Sequence, residues 1–141
     1  MTTQARQSSN SLELFADWYR RKGQAGALRL IEREVFGTSV GVNSYTTVAQ
    51  ADALAGALRL GPGKRLLDIG AGSGWPGLYL AKKTGCEVVL TDLPPDAIRN
   101  AVAQASKQGV HGRSSFALAS GTHLPFRPRT FDATAHTDVL C

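Results

Sequence analysis

The chain has 141 residues, with 43% hydrophobic and 19% charged side chains, a balance that belongs to one globular domain rather than to a disordered chain, although residues 1–9 read as frayed. Its apolar runs stay short of the roughly 18 residues that a membrane span needs, and the opening MTTQARQSSNS lacks the apolar stretch of a secretory signal, so a cytoplasmic protein is expected. The net charge of +5 is spread out, with seven basic and five acidic side chains in residues 1–60 and nine and six in 61–141, so neither a nucleic-acid nor a membrane partner is expected.

Asn10, followed three residues later by Glu13, reads as a helix start. Leu12, Phe15, Trp18 and Tyr19 then share one helical face. The densest basic run, Arg20-Arg21-Lys22, reads as solvated surface. Gly23 and Gly26 split this helix, and Leu28, Ile31 and Val35 form a second stripe that ends before Gly37. A loop is expected over 37–46. Thr47-x-x-Gln50 is a capping box opening a helix with Val48, Ala51, Leu54 and Leu58 on one face, closed by Gly61-Pro62.

From there strands and helices alternate. Arg65–Ile69 reads as a short apolar strand. Pro76 suits the first turn of the next helix, which runs to about Thr84 and stops at Gly85. Glu87–Thr91 reads as a second strand. Pro94, Pro95 and Asp96 start a helix with Ala97, Ile98, Ala101, Val102 and Ala105 as its apolar stripe, ended by Gly109. Ser115–Ala119 and Phe131–His136 read as third and fourth strands. Strands separated by helices imply parallel pairing and right-handed crossovers, hence an α/β sheet behind a helical N-terminal segment. Cys86 and Cys141 have no motif spacing and read as reduced thiols.

LLDIGAGSGWPG, residues 66–77, carries the chemistry. A strand that enters a glycine turn before a helix aims backbone N–H groups at a ligand. Two patterns overlap here. Gly72, Gly74 and Gly77 spell G-x-G-x-x-G, the pattern of a dinucleotide site. Asp68, Gly70, Gly72 and Gly74 spell D-x-G-x-G-x-G. Asp92, at the end of the second strand and 20 residues after Gly72, can accept from both ribose hydroxyls; read alone, it could equally cap the next helix. A buried Asp68 beside a pyrophosphate would be repelled, whereas beside a cation it is favoured. S-adenosylmethionine carries a sulfonium and an ammonium, so an acid at this place suits it.

LLDIGAGSG (66–74) resembles the first motif of the class I S-adenosylmethionine-dependent methyltransferases. VVLTDL (88–93) resembles their acid-ended second strand, and LPFRPRTFDA (124–133) the segment leading into their fourth. The resemblance covers residues 62–141 and, more loosely, the helix at 48–60. It implies a Rossmann-like parallel sheet in the order 3-2-1-4, with helices on both faces. The helical segment at 1–46 reads as a cap or extension, and 47–141 then corresponds to the N-terminal portion of such a methyltransferase domain. By the same resemblance Asp68 lies near the methionine end of the cofactor, and Gly70, Ala71, Gly72 and Gly74 form the turn against methionine and ribose. Asp92 holds the ribose hydroxyls and Leu93 packs on adenine. Family members often place an Asp near the adenine amino group where this chain has Ser120, followed by Gly121 and Thr122. Thr91 and Asp132 are assigned to structure.

The reaction implied is in-line transfer of a methyl group to a small-molecule acceptor, in which the protein aligns the nucleophile and excludes water. No metal is implied, and no residue is assigned a catalytic role. His123 and His136, the latter followed by Asp138, are candidates by type alone. Phe15, Trp18, Tyr19 and Tyr45 either line an acceptor pocket or are core. The family's sheet has seven strands, ordered 3-2-1-4-5-7-6, and the chain is expected to be truncated after the fourth. That would leave an open strand edge for self-association or for a missing C-terminal half. Two other readings remain at this point. One is a non-catalytic nucleotide-binding or interaction module; the other is an NAD(P)-dependent oxidoreductase using G-x-G-x-x-G.

Overall fold

The computed structural model describes residues 13–14, 16–21, 30, 32–34 and 45–137. Expectations resting on Asn10, Leu12, Phe15, Gly23, Gly26, Leu28, Ile31, Val35, Asp138 and Cys141 lie outside those residues, as does most of the loop expected at 37–46. Residues 13–14, 16–21, 30 and 32–34 are helical. The ordered elements that follow are α1 (Val48–Ala57), β1 (Arg65–Ile69), α2 (Gly77–Thr84), β2 (Glu87–Asp92), α3 (Pro95–Gln108), β3 (Ser114–Leu118) and β4 (Ala133–Ala135).

The capping box that opens α1 is formed as expected. The Thr47 hydroxyl accepts from the Gln50 N–H at 3.2 Å, and Gln50 Oε1 accepts from the Thr47 N–H at 2.8 Å. The end of α1 departs from expectation, falling at Ala57 rather than at Gly61-Pro62. The Arg59 N–H donates to Gly56 O and the Leu60 N–H to Ala55 O, each at 3.1 Å. This is a Schellman closure. Its left-handed position, φ +50°, is held by Arg59, so no glycine marks the stop in the sequence.

All strand pairs are parallel, and the sheet order is β3-β2-β1-β4. β1 has the expected bounds, and β2 runs one residue further, to Asp92. β3 starts at Ser114, directly after a 3-10 turn at His111–Arg113. β4 is shorter than the expected Phe131–His136. Its entry is held differently: Asp132 Oδ2 accepts from the Arg65 N–H at 2.8 Å, and the Asp132 N–H donates to Arg65 O at 2.9 Å. Phe131 then packs edge-on against Phe126, with ring centroids 5.0 Å apart, instead of joining the strand.

Burial follows from this pairing. Leu66, Leu67 and Asp68 are consecutive and all buried, as are Val88, Val89, Leu90 and Thr91. Consecutive burial in a strand means that both sheet faces are covered, as parallel sheets require. Leu66, Leu78, Leu80, Cys86, Val88 and Leu90 form the centre of the core, with Cys86 a free, buried thiol. Ala97, Ala101 and Ala105 line the buried face of α3, so small side chains let that helix approach the sheet closely. Ile98 and Val102 flank them, half-buried. α2 and α3 end at Gly85 and Gly109, each in a left-handed cap. Among the described residues, no helix is long and apolar enough to cross a membrane. In a parallel sheet the carboxyl ends of the strands share one end, and ligands bind there. That end carries Ile69, Asp92, Leu118 and Ala135.

Candidate functional site

β1 leads directly into the glycine turn. Gly70, Gly72 and Gly74 all have left-handed φ, +68°, +55° and +105°. An L side chain at these places would be strained, which is why the turn reads G-x-G-x-G. Two backbone bonds shape it: Ala71 N–H to Thr91 O at 3.0 Å and Gly74 N–H to Ala71 O at 2.8 Å. Asp92 then clamps the turn from the neighbouring strand. Its Oδ2 accepts from the Gly72 N–H and its Oδ1 from the Leu93 N–H, each at 2.7 Å. The alternative that Asp92 caps α3 fails, because Pro94 occupies the cap position with no side-chain cap bond. With one N–H on each oxygen, the carboxylate keeps further acceptor capacity. Burial pushes its pKa up, opposed by the two N–H bonds.

Asp68 lies beneath the turn and is 1% exposed. Its Oδ2 accepts from the Gly77 N–H at 3.0 Å, whereas its Oδ1 is buried with no hydrogen-bond partner. A Cβ on Gly77 would lie 2.5 Å from Asp68 Oδ2. The third glycine of G-x-G-x-x-G is therefore required by a carboxylate, not by a phosphate. That carboxylate fills the place at the start of α2 where a pyrophosphate would meet the first N–H groups. Burial pushes the Asp68 pKa up to about 8, the Gly77 N–H opposes this, and the negative charge of Asp92 adds to it. The group is thus poised to lose its proton when a cation approaches.

The turn after β3 is tied to the same end of the sheet. The Ala119 N–H donates to Asp92 O at 3.1 Å, and a Cβ on Gly121 would lie 3.1 Å from Ile69 Cγ2. Ser120 Oγ is 2.8 Å from Thr122 Oγ1, which is 2.9 Å from His123 Nδ1. Asp68, the glycine turn, Asp92, Leu93 and Ser120–Gly121 are therefore all assembled at one place. Leu93 is an exposed apolar side chain beside Asp92, at 49%. Thr91 is structural here, its hydroxyl donating to Asp68 O at 3.3 Å. His123 and His136 are both exposed, the first in the Ser120 turn and the second beyond β4.

The aromatic residues divide. Tyr45 is exposed at 92% and Trp18 at 44%, so neither is core. Phe15 lies outside the described residues. Tyr19 reaches the turn: its hydroxyl is 2.6 Å from where a Gly72 Cβ would be. Asn100 Nδ2 donates to Tyr19 O at 3.0 Å, a contact with no signal in the sequence. Buried Trp75 donates from Nε1 to Thr46 O at 2.9 Å and fixes the chain just before α1.

A four-stranded parallel sheet in this order, with a glycine turn clamped by the acid that ends β2, is a Rossmann-like nucleotide-binding architecture. Residues 66–141 match the family described as a methyltransferase domain, and the chain belongs to that family. A protein from Mycobacterium tuberculosis, Rv1405c, is 40% identical over 79 residues, covering 56% of this chain and 28% of its own length. The 27-O-demethylrifamycin SV methyltransferase of Amycolatopsis mediterranei is 35% identical over 86 residues, covering 61% of this chain and 32% of its own. Among solved structures, an S-adenosylmethionine-dependent methyltransferase from Geobacter sulfurreducens, in complex with S-adenosylhomocysteine, is 30% identical with a TM-score of 0.51. That match covers 56% of this chain and 32% of that one. The chain thus spans about a third or less of the length of the curated relatives it matches.

Proposed function

We propose that this chain carries the cofactor-binding half of an S-adenosylmethionine-dependent methyltransferase that acts on a small-molecule acceptor. The observation that carries the reading is Asp68, a buried acid with one partnerless oxygen at the glycine turn. An orphaned buried carboxylate oxygen is unfavourable unless something completes it. Burial, with the negative charge of Asp92 added, holds the Asp68 proton until a cation approaches, so the site gains its second negative charge together with the ligand. That suits a ligand bearing a sulfonium and an ammonium, and it disfavours the pyrophosphate of a nicotinamide dinucleotide.

S-adenosylmethionine, when bound, supplies an electrophilic methyl group. The chain's own residues bind and orient. Asp68 becomes a carboxylate facing the cationic end, and Gly70, Ala71, Gly72 and Gly74 let the ligand approach the backbone. Asp92 accepts from the ribose hydroxyls with its remaining lone pairs, Leu93 covers the adenine, and Ser120–Gly121 border the adenine edge. Residues 1–46 form a cap and 47–141 the nucleotide-binding portion. The rifamycin-acting relative supports a small-molecule acceptor. Among the described residues β4 pairs only with β1, and its other edge takes a further strand, from a missing C-terminal half or from a second copy.

Titration calorimetry with S-adenosylhomocysteine tests the reading. Saturable binding is expected, weakened at least about tenfold in Asp92→Ala, where acceptors for two ribose hydroxyls are lost. No binding by a folded chain overturns it.

A further inference from the structure

Tyr19 stands where the nucleoside is expected. The tyrosine hydroxyl, Cζ and Cε1 lie 2.6, 3.4 and 3.5 Å from the position of a Gly72 Cβ, so the ring edge rests on the bare Cα of that glycine. The Gly72 N–H is bonded to Asp92. Burial and the negative charge of Asp92 both push the Tyr19 pKa up, which keeps its hydroxyl protonated beside that carboxylate. The approach space that glycine leaves open at the turn is thus filled by the protein itself. The segment is fastened from outside the cradle: Asn100 on α3 donates to Tyr19 O at 3.0 Å, and Arg20 Nε is 3.7 Å from Asp96 Oδ2.

We infer that Tyr19 competes with the nucleoside ligand for the Gly72–Asp92 cradle and so sets the affinity of the site. The inference rests on the cofactor reading above. The tyrosine hydroxyl lies over Gly72, whose N–H Asp92 holds, and its ring edge covers that Cα. A ribose and this phenol cannot both lie on the same Cα. Ligand therefore binds only the fraction of molecules in which Tyr19 has turned away, and apparent affinity falls by that fraction. Anything that loosens the segment raises affinity, including a change that never touches the ligand.

The experiment is titration of S-adenosylhomocysteine into the wild-type chain, Tyr19→Ala and Asn100→Ala, each first shown to unfold cooperatively in urea. Tyr19→Ala is expected to bind about tenfold more tightly than wild type. Asn100→Ala, which removes only the fastening hydrogen bond, is expected to bind about fivefold more tightly. It keeps the test decisive if Tyr19→Ala fails to fold. Unchanged or weaker binding in the folded variants overturns the competition and makes Tyr19 a wall of the site. Absence of binding by all three folded proteins overturns the cofactor reading itself, and the inference with it.

Discussion

Two carboxylates at opposite ends of β1 show how the same chemical group takes different work. Asp68, toward the carboxyl end, and Asp132, beside Arg65 at the amino end, each accept one backbone N–H, at 3.0 and 2.8 Å. Asp132 is exposed, and its second oxygen meets Lys64 Nζ at 3.1 Å. The Arg65 N–H and the Lys64 ammonium hold its pKa below the usual carboxylate range. Asp68 is buried, its second oxygen has no partner, and burial pushes its pKa up to about 8. An acid that is exposed and satisfied by its neighbours is structure. One that is buried and half-satisfied weakens the fold on its own, and a binding function explains its presence.

That contrast can be broken from either side. The largest effect is expected from Gly77→Ala, whose methyl group would collide with Asp68 Oδ2 at 2.5 Å. Loss of about 2 kcal/mol or more in urea unfolding is expected, since neither the helix start nor the buried carboxylate can move freely. A cost under about 0.5 kcal/mol would show that the carboxylate is not confined there.

Asp68→Asn is expected to separate stability from binding. Because burial raises the folded pKa from 3.8 to about 8, the wild-type group contributes most below pH 3.8. That contribution is lost as pH rises through 8. An amide does not titrate, so the variant should be the more stable protein at pH 8 by about 1 kcal/mol. It should also bind S-adenosylmethionine more weakly. Thermal unfolding at several pH values, beside calorimetry with that ligand, reads both. A variant destabilised at pH 8 would contradict the picture of an uncompensated acid.

Asp132→Asn is expected to have the smallest effect and the opposite pH sense. The wild-type carboxylate stabilises above its unfolded pKa, and the benefit is lost as pH falls through its depressed folded value. The variant should therefore differ from wild type near neutral pH and converge with it in acid, with ligand affinity unchanged. A change in affinity would place Asp132 in the site and erase the distinction between the two ends.

Much of this was legible in the residues because it is local. The bounds of β1, the capping box at Thr47–Gln50 and the stops at Gly85 and Gly109 are each written within a few positions. So was the clustering of Asp68, the glycine turn and Asp92, since strand, turn and crossover helix bring them to one sheet end. The end of α1 was not legible, because Arg59 takes a left-handed angle usually left to glycine. The short β4 was not either, because Asp132 and the Phe126–Phe131 packing replace strand pairing. The second depends on Arg65, far away in the chain, whereas the first is a local closure that carries no glycine to mark it.

By itself the sequence determined the parallel sheet and the end of it that carries the site, because hydrophobic period and turn chemistry act over short distances, while the strand order was implied by the family resemblance. Only the tertiary structure decided what each polar group meets. Asp68 takes the Gly77 N–H, Asp92 takes the Gly72 N–H rather than capping α3, and Tyr19 settles on Gly72 from more than fifty positions away. Hydrogen bonds and close contacts are fixed by distances of a few tenths of an ångström, and those distances exist only once the whole chain has packed.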